Sequence, residues 1–295
     1  MKVLLAEYAV TNDPALAPEG AAMLAVLRAS FERCGHSVIS PEPGDFGAEI
    51  RRLAPSCDAG LVIAPDHLLF RYTMFLEQLT DNLGCGSMAA AICANKLKTS
   101  AILKNHGIAV PPEATSGTRV IKPVSGCGAV GVRLADADPG TGEFAEQYIP
   151  GETLSVSLVC NRVVGEACLN FSGRPPVILA LNRQHIDRAP DWAFRYNGGE
   201  TPVDHPRRDE IVDVAVKAAT VLGCQGYCGV DVIVADKVYV VDVNARMTTS
   251  IVGIAACMQE EIADILVAAS HGQAPETVHC TGRVRFGADG KVTPV

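Results

Sequence analysis

An α/β segment that runs into a longer α+β segment is the fold class predicted by this sequence, and three observations carry that reading. Strand and helix patterns alternate over the first eighty-odd residues, strand patterns crowd the chain from Thr118 onward, and two regular apolar strands stand close together at 230–235 and 238–244. At 295 residues with 48% hydrophobic side chains, the chain is long enough for two or three lobes around a large core.

The elements follow in order. Residues 2–6 form a short buried strand. Residues 19–34 place Met23, Leu27 and Phe31 on one helical face until Gly35 ends the helix, and 37–40 and 61–64 are two further strands, the last stopped by Pro65. A βαβ start predicts a parallel sheet whose ligand crevice lies at the carboxyl ends of its strands, where Glu7 and Tyr8 sit. After Gly84-Cys85-Gly86-Ser87 the character changes. An Ala-rich helix at 88–94 leads to Asn95, a candidate N-cap for a helix at 96–105 that Gly107 and Pro111-Pro112 close. Strands are then expected at 119–124, 129–135, 144–149, 154–159 and 162–169, a long amphipathic helix at 209–222, and the two regular strands last. There is no internal repeat and no low-complexity tract.

Composition excludes some functions. With 25 Lys and Arg against 33 Asp and Glu, the net charge is −8, which argues against a nucleic-acid binder, since that needs a basic face. An anionic ligand must therefore be held by a local arrangement. The 11 cysteines contain no CxxC pair and read as free, mostly buried thiols of a reducing cytoplasm rather than as disulfides or a zinc site. The apolar run Val3-Leu4-Leu5-Ala6 is too short for a signal peptide, and 251–269 is broken by Gln259-Glu260-Glu261, so the expectation is a soluble intracellular protein with no membrane partner.

Two motifs carry chemistry. Gly126-Cys127-Gly128-Ala129-Val130-Gly131 satisfies G-x-G-x-x-G, but a strand pattern follows it where a dinucleotide site needs a helix. A flexible hairpin loop at 125–129, whose backbone N–H groups could cover phosphates, fits better. Cys127 has no assigned role. The strands around Asp236-Lys237 hold the second motif. If those two residues form the turn, Asp231 and Asp242 face each other directly and Asn244 projects from the same face. Facing carboxylates destabilise a sheet unless a cation lies between them, and two carboxylates with an amide oxygen suit Mg²⁺. A three-residue loop would remove the direct pairing, and one aspartate capping a turn or facing solvent is the plainer alternative.

In order along the chain, Asn95-Lys96, Val120-Ile121-Lys122-Pro123 before the glycine loop, Glu146-Gln147-Tyr148-Ile149-Pro150-Gly151-Glu152, Gly229-Val230-Asp231 and Asp242-Val243-Asn244-Ala245-Arg246 resemble the ATP-grasp superfamily. The resemblance implies an ATP-grasp fold: a Rossmann-like lobe at 1–86, then two α+β lobes that sandwich ATP, a small one at 87–147 with the glycine-rich loop and a large one at 148–295 with the metal site. It implies that Lys96, Lys122, Ser125, Gly126 and Gly128 contact phosphates and that Glu146, Gln147, Tyr148 and Ile149 form the adenine hinge. Glu152 would hold the ribose. Asp231, Asp242 and Asn244 would bind Mg²⁺, with Mn²⁺ an alternative, and Lys122 and Arg246 would stabilise the transferring phosphoryl group. Asp242 stands where the family often has Glu, which shortens that arm.

The implied chemistry is ligation of a carboxylic acid to an amine through an acyl phosphate, releasing ADP and phosphate. Glu7-Tyr8-Ala9-Val10, Glu19-Gly20 with Met23, and Ile63-Ala64-Pro65 further resemble the archaeal tyramine–L-glutamate ligases of methanofuran biosynthesis. That would make the γ-carboxylate of glutamate the acid and tyramine the amine, with Glu7 and Arg183 as candidate substrate contacts. Arg183 and His185 read equally as loop residues. A dipeptide ligase of the D-alanine–D-alanine type and a non-catalytic ATP-binding regulator are the alternatives, and a homo-oligomer stays open.

Overall fold

The computed structural model describes residues 1–126, 128–162 and 174–295. The strand expected at 162–169 lies, from 163 on, outside the described residues, as does Cys127.

The chain opens with β1 (Lys2–Glu7), the single turn α1 (Ala9–Asn12), α2 (Ala17–Arg33), β2 (Ser37–Ile39), α3 (Phe46–Leu53), β3 (Ala59–Ile63), α4 (Asp66–Glu77) and β4 (Asp81–Asn82). The four strands form the expected parallel sheet, in the order β2-β1-β3-β4. β3 and the interior of β1, Val3-Leu4-Leu5-Ala6, are apolar because helices cover both sheet faces. Met23, Leu27 and Phe31 of α2 are buried under one face, while Phe46 of α3 and Leu69, Phe75 and Leu76 of α4 cover the other. Each such side chain contributes roughly 1.5–3 kcal/mol by leaving water. Gly20 is required by close approach: a Cβ there would collide with the Glu7 carboxylate, which is itself buried and accepts from Val10 N–H at 2.7 Å.

Next come α5 (Ser87–Cys93) and α6 (Lys96–Asn105). The Asn95 side chain caps α6 by accepting from Lys98 N–H at 3.0 Å, and Lys96 is the first helical residue. A three-stranded antiparallel sheet follows, β5 (Arg119–Pro123), β6 (Arg133–Ala135) and β7 (Glu143–Gln147), in the order β6-β5-β7. The strand expected at 129–135 therefore begins only at Arg133. Gly126, Gly128, Ala129 and Gly131 all have positive φ, which an extended ladder excludes, so these residues turn rather than extend the strand.

The remaining chain holds β8 (Glu152–Cys160), β9 (Val177–Arg188), β10 (Phe194–Thr201), α7 (Arg208–Val221), β11 (Gly226–Val234), β12 (Val238–Asn244), α8 (Ser250–Cys257), α9 (Ile262–Ser270), β13 (Val284–Phe286) and β14 (Val292–Pro294). Among the described residues its seven strands form an antiparallel sheet in the order β12-β11-β8-β9-β10-β13-β14. Arg183 and His185, for which a loop was the alternative, lie within β9 of the long pair β9–β10. One core runs from the parallel sheet through α2, α8 and α9 to Val159, Leu179 and Tyr227 of the large sheet. A second core packs α7 against that sheet and takes in Cys85, Cys93, Cys160, Cys224 and Cys228. The nine cysteines among the described residues are free thiols. No described helix is long and apolar enough to cross a membrane.

Candidate active site

A cleft of about 510 Å³ opens between the three-stranded sheet and the large sheet, within the range of small-ligand sites. Its floor is the β11–β12 hairpin. The loop there has three residues, not two: Val234 pairs with Val238, so the expected Asp236-Lys237 turn is corrected. Such a loop alone would set Asp231 opposite Val241. A β-bulge intervenes, leaving Val241 unpaired between the Val232–Val240 and Asp231–Asp242 pairs, and this brings the two carboxylates face to face. The bulge has a second effect, because the Val241 carbonyl accepts from Lys122 Nζ at 3.2 Å.

The acid pair is surrounded by donors. Asp231 accepts from Gln184 Nε2 at 2.9 Å and from Asn244 Nδ2 at 3.1 Å; Asp242 accepts from Val243 N–H at 3.0 Å and is ion-paired with Lys96. Burial and then the facing Asp242 push Asp231 up to about 7, against the opposing pull of Lys96, Asn244 and Arg246. Burial works against the Lys96 ammonium, yet Asp242 beside it raises its pKa overall.

Lys122, buried on β5, pairs with Glu146 of β7 at 2.6 Å, and its Nζ lies 5.2 Å from the Phe144 ring centre. Burial raises the Glu146 pKa against the pull of Lys122. Arg246 is held from three sides. Its Nε donates to Asp66 at the start of α4 at 2.8 Å, Nη1 to the Met247 carbonyl at 3.1 Å and Nη2 to Asn244 Oδ1 at 3.3 Å.

Lys96, Lys122, Gly126, Gly128, Glu146, Gln147, Tyr148, Ile149, Asp231, Asp242, Asn244 and Arg246 all line this one cleft. Four of the sequence candidates do not. Ser125 is exposed beside the cleft, and Glu7 is packed behind Gly20. Glu152 and Arg183 pair with each other at 2.5 Å, and His205 Nε2 lies 3.5 Å from Glu152. Strand alternation is the reason: Thr153 and Ser155 on β8, and Gln184, Ile186 and Arg188 on β9, point into the cleft, which sends Glu152 and Arg183 to the opposite face. Gln147 is also committed in part, since its N–H donates to the Pro112 carbonyl at 2.8 Å.

Sequence reasoning missed Gln184, Ile186, Arg188 and Tyr196, the Thr248-Thr249-Ser250 run at the start of α8, Glu19, which accepts from the Thr249 hydroxyl, and Asp66. The even-numbered residues of β9 were readable only once 177–188 was known to be a strand.

Whether the donors fit a divalent ion follows from their chemistry. Two facing carboxylates and an amide oxygen are hard oxygen ligands, and the pKa of Asp231 is raised first by burial and then by the facing Asp242 carboxylate. Among the described residues no group of three His, Cys, Asp or Glu side chains gathers to hold a metal. An ion here would complete its shell with water and ligand oxygens, as Mg²⁺ does.

Residues 93–250 match the family model described as the ATP-grasp domain. Two proteins named tyramine–L-glutamate ligase, from Methanocaldococcus fervens and Methanocaldococcus jannaschii, are each 33% identical to the chain, over 71% and 67% of it and over 65% and 58% of their own lengths. The aligned part thus spans less than two thirds of those relatives. An ATP-grasp superfamily protein from Archaeoglobus fulgidus has a crystal structure that superposes with a TM-score of 0.77 at 28% identity, covering 97% of this chain and 92% of that one.

Proposed function

The chain belongs to the ATP-grasp family, and from that premise we propose that it is an ATP-dependent acid–amine ligase that joins the γ-carboxylate of glutamate to tyramine. One observation carries the reading: a facing acid pair meets Lys96 of α6, Lys122 of β5 and Arg246 of the segment after β12 in a single cleft. In an acidic chain these three cations, each now paired with a carboxylate, together with a divalent ion on the acid pair would supply the positive charge that a triphosphate needs. The identity to two tyramine–L-glutamate ligases supports the choice of substrates. The lobes at 87–147 and 148–295 would grip the nucleotide behind the lobe at 1–86.

In the proposed reaction a substrate carboxylate oxygen attacks the γ-phosphorus of ATP, the bond to the β-phosphate oxygen breaks, and ADP leaves. The amine nitrogen then attacks the acyl carbon, phosphate departs with the former carboxylate oxygen, and the nitrogen loses a proton to give the amide. Asp231, Asp242 and the Asn244 carboxamide oxygen would hold Mg²⁺, which supplies charge neutralisation to the phosphates when bound. Lys122 and Lys96 are placed to meet phosphate oxygens once they exchange Glu146 and Asp242 for them. Arg246, with its fork fixed by Asp66 and Asn244, presents a planar charge to the phosphoryl group in flight. None of these groups forms a covalent intermediate, so catalysis rests on positioning and electrostatics.

The test is a phosphate-release assay with ATP, Mg²⁺, glutamate and tyramine. It should yield ADP, phosphate and the γ-amide in equal amounts. AMP and pyrophosphate would overturn the acyl-phosphate route. Turnover only with an amino acid as acceptor would replace tyramine and favour a dipeptide ligase. Nucleotide binding without phosphate release across a panel of acids and amines would replace the ligase with a regulator.

A further inference from the structure

The proposed reaction leaves the tip of the β9–β10 hairpin without a task, although the tip overhangs the cleft. There the Arg188 guanidinium lies 5.5 Å from the Trp192 ring centre, 5.6 Å from Tyr148 and 5.9 Å from Phe194. Arg188 Nη2 donates to the Tyr148 hydroxyl at 3.2 Å, and the Tyr148 and Phe194 rings stack at 21° with centres 6.5 Å apart. Ring faces and a phenol surround this guanidinium, and Arg188, Tyr148 and Phe194 all line the cleft.

Its position along β9 is informative. Gln184, which donates to Asp231, marks the acid-pair end of the cleft. Arg188 projects from the same face four residues further on, roughly 13 Å away at 3.3 Å per residue. Between them the wall is apolar, with Ile186 on β9 and Ile149 opposite. A nucleoside triphosphate whose phosphates meet Lys96 and Lys122 would place its base at the Arg188 end.

The tip is also tied to the glycine loop. Phe194 N–H donates to the Val132 carbonyl at 2.9 Å, Leu134 N–H donates to the Trp192 carbonyl at 3.0 Å, and Arg133 bridges to Ala193. Ala129 and Trp192 are the two non-glycine residues of the described chain with positive φ, at 61° and 63°, one in each of the linked segments. L-residues seldom adopt that conformation, and such strain collects where ligands are handled.

We propose that Arg188 and its aromatic neighbours form a lip that closes on the purine base of the bound nucleotide, the guanidinium lying flat against the ring, and that the lip passes base occupancy to the glycine loop through those backbone bonds. The inference rests on the nucleotide reading of the cleft. A planar, weakly hydrated cation suits a π face in a way that a lysine ammonium does not.

Trp192 is the single tryptophan of the chain, so its fluorescence reports on the tip directly. Full-length wild type, Arg188→Ala and Arg188→Lys are titrated with ATP, with ADP and with inorganic tripolyphosphate, which lacks a base. Trp192 emission and calorimetric Kd are both recorded, and thermal melts compare the folding of the variants. ATP and ADP should shift the emission of the wild type, while tripolyphosphate should bind without shifting it. Arg188→Ala should bind ATP about 3- to 30-fold more weakly, the span of stacking and cation–π contacts, with tripolyphosphate affinity unchanged and no rescue by lysine. Equal ATP affinity in wild type and Arg188→Ala, or an equal emission change with tripolyphosphate, would overturn the lip and leave ATP binding standing. A wild type that binds no nucleotide would overturn both.

Discussion

Replacing Asp231 by asparagine removes one of two facing carboxylates while keeping an oxygen for the Gln184 and Asn244 amides. Burial and the facing Asp242 push Asp231 up to about 7 from its ordinary 3.8. At 1.36 kcal/mol per pH unit, ionising it in place costs about 4 kcal/mol relative to the unfolded chain. Asp231 keeps part of its surface in water, which screens its charge and reduces the cost to about 2 kcal/mol. The sign follows from proton counting. Below pH 4 both states are protonated and the group is neutral in effect. From pH 4 to 7 the unfolded chain releases its proton while the folded one retains it, so stability falls as pH rises, and it levels off above 7. Urea denaturation in EDTA at pH 5 and pH 8 should show the wild type losing about 1 kcal/mol more than Asp231→Asn across that interval, the rest having been lost below pH 5. Adding Mg²⁺ at pH 8 should stabilise the wild type alone. Parallel pH dependence in the two proteins, or equal stabilisation by Mg²⁺, would refute the claim that the acids repel each other and await a cation.

Three further outcomes follow from contacts already described. Lys122→Met strands Glu146 in a buried site and should lower stability by about 2–4 kcal/mol in denaturant titrations, less at acidic pH where Glu146 takes up a proton, and it should cut turnover by roughly 100-fold or more. Arg246→Lys keeps the charge but loses the fork to Asp66 and Asn244, so kcat should fall by about 10- to 100-fold with the ATP Kd near that of wild type; an unchanged kcat would show that the fork is dispensable. Gly20→Ala drives a methyl into the Glu7 carboxylate and should cost about 1–3 kcal/mol of stability, read from thermal melts.

Local signals made much of this protein legible. Asn95 before Lys96 announced a capped helix because the amide can reach Lys98 N–H, and the structure contains that bond. The Asp231–Asp242 pairing was foreseen through the wrong turn: the loop is one residue longer and the bulge at Val241 makes up the difference. No pattern of apolar residues reports a bulge, since it is set by the partner strand and by Lys122, which is remote in sequence. β9 was missed for a related reason. Its first half is buried on both faces and its second half, Gln184 to Arg188, is polar apart from Ile186, so neither half alternates as a half-exposed strand does. That omission hid the cleft-facing row on β9 and left Arg183 a candidate, when strand parity turns it toward Glu152.

The contact between Arg246 and Asp66 bears on modularity. The match to the ATP-grasp domain begins at residue 93, yet the arginine near its end is oriented by an acid twenty-seven positions before that start. The buried core that joins α2 to α8 and α9 ties the same two regions together. A segment cut at the family boundary would keep every motif string and lose the acid that aims one of them. The cooperative unit is therefore longer than the stretch by which the family is recognised, and grafting or swapping the 93–250 segment requires the partner of Arg246 to travel with it.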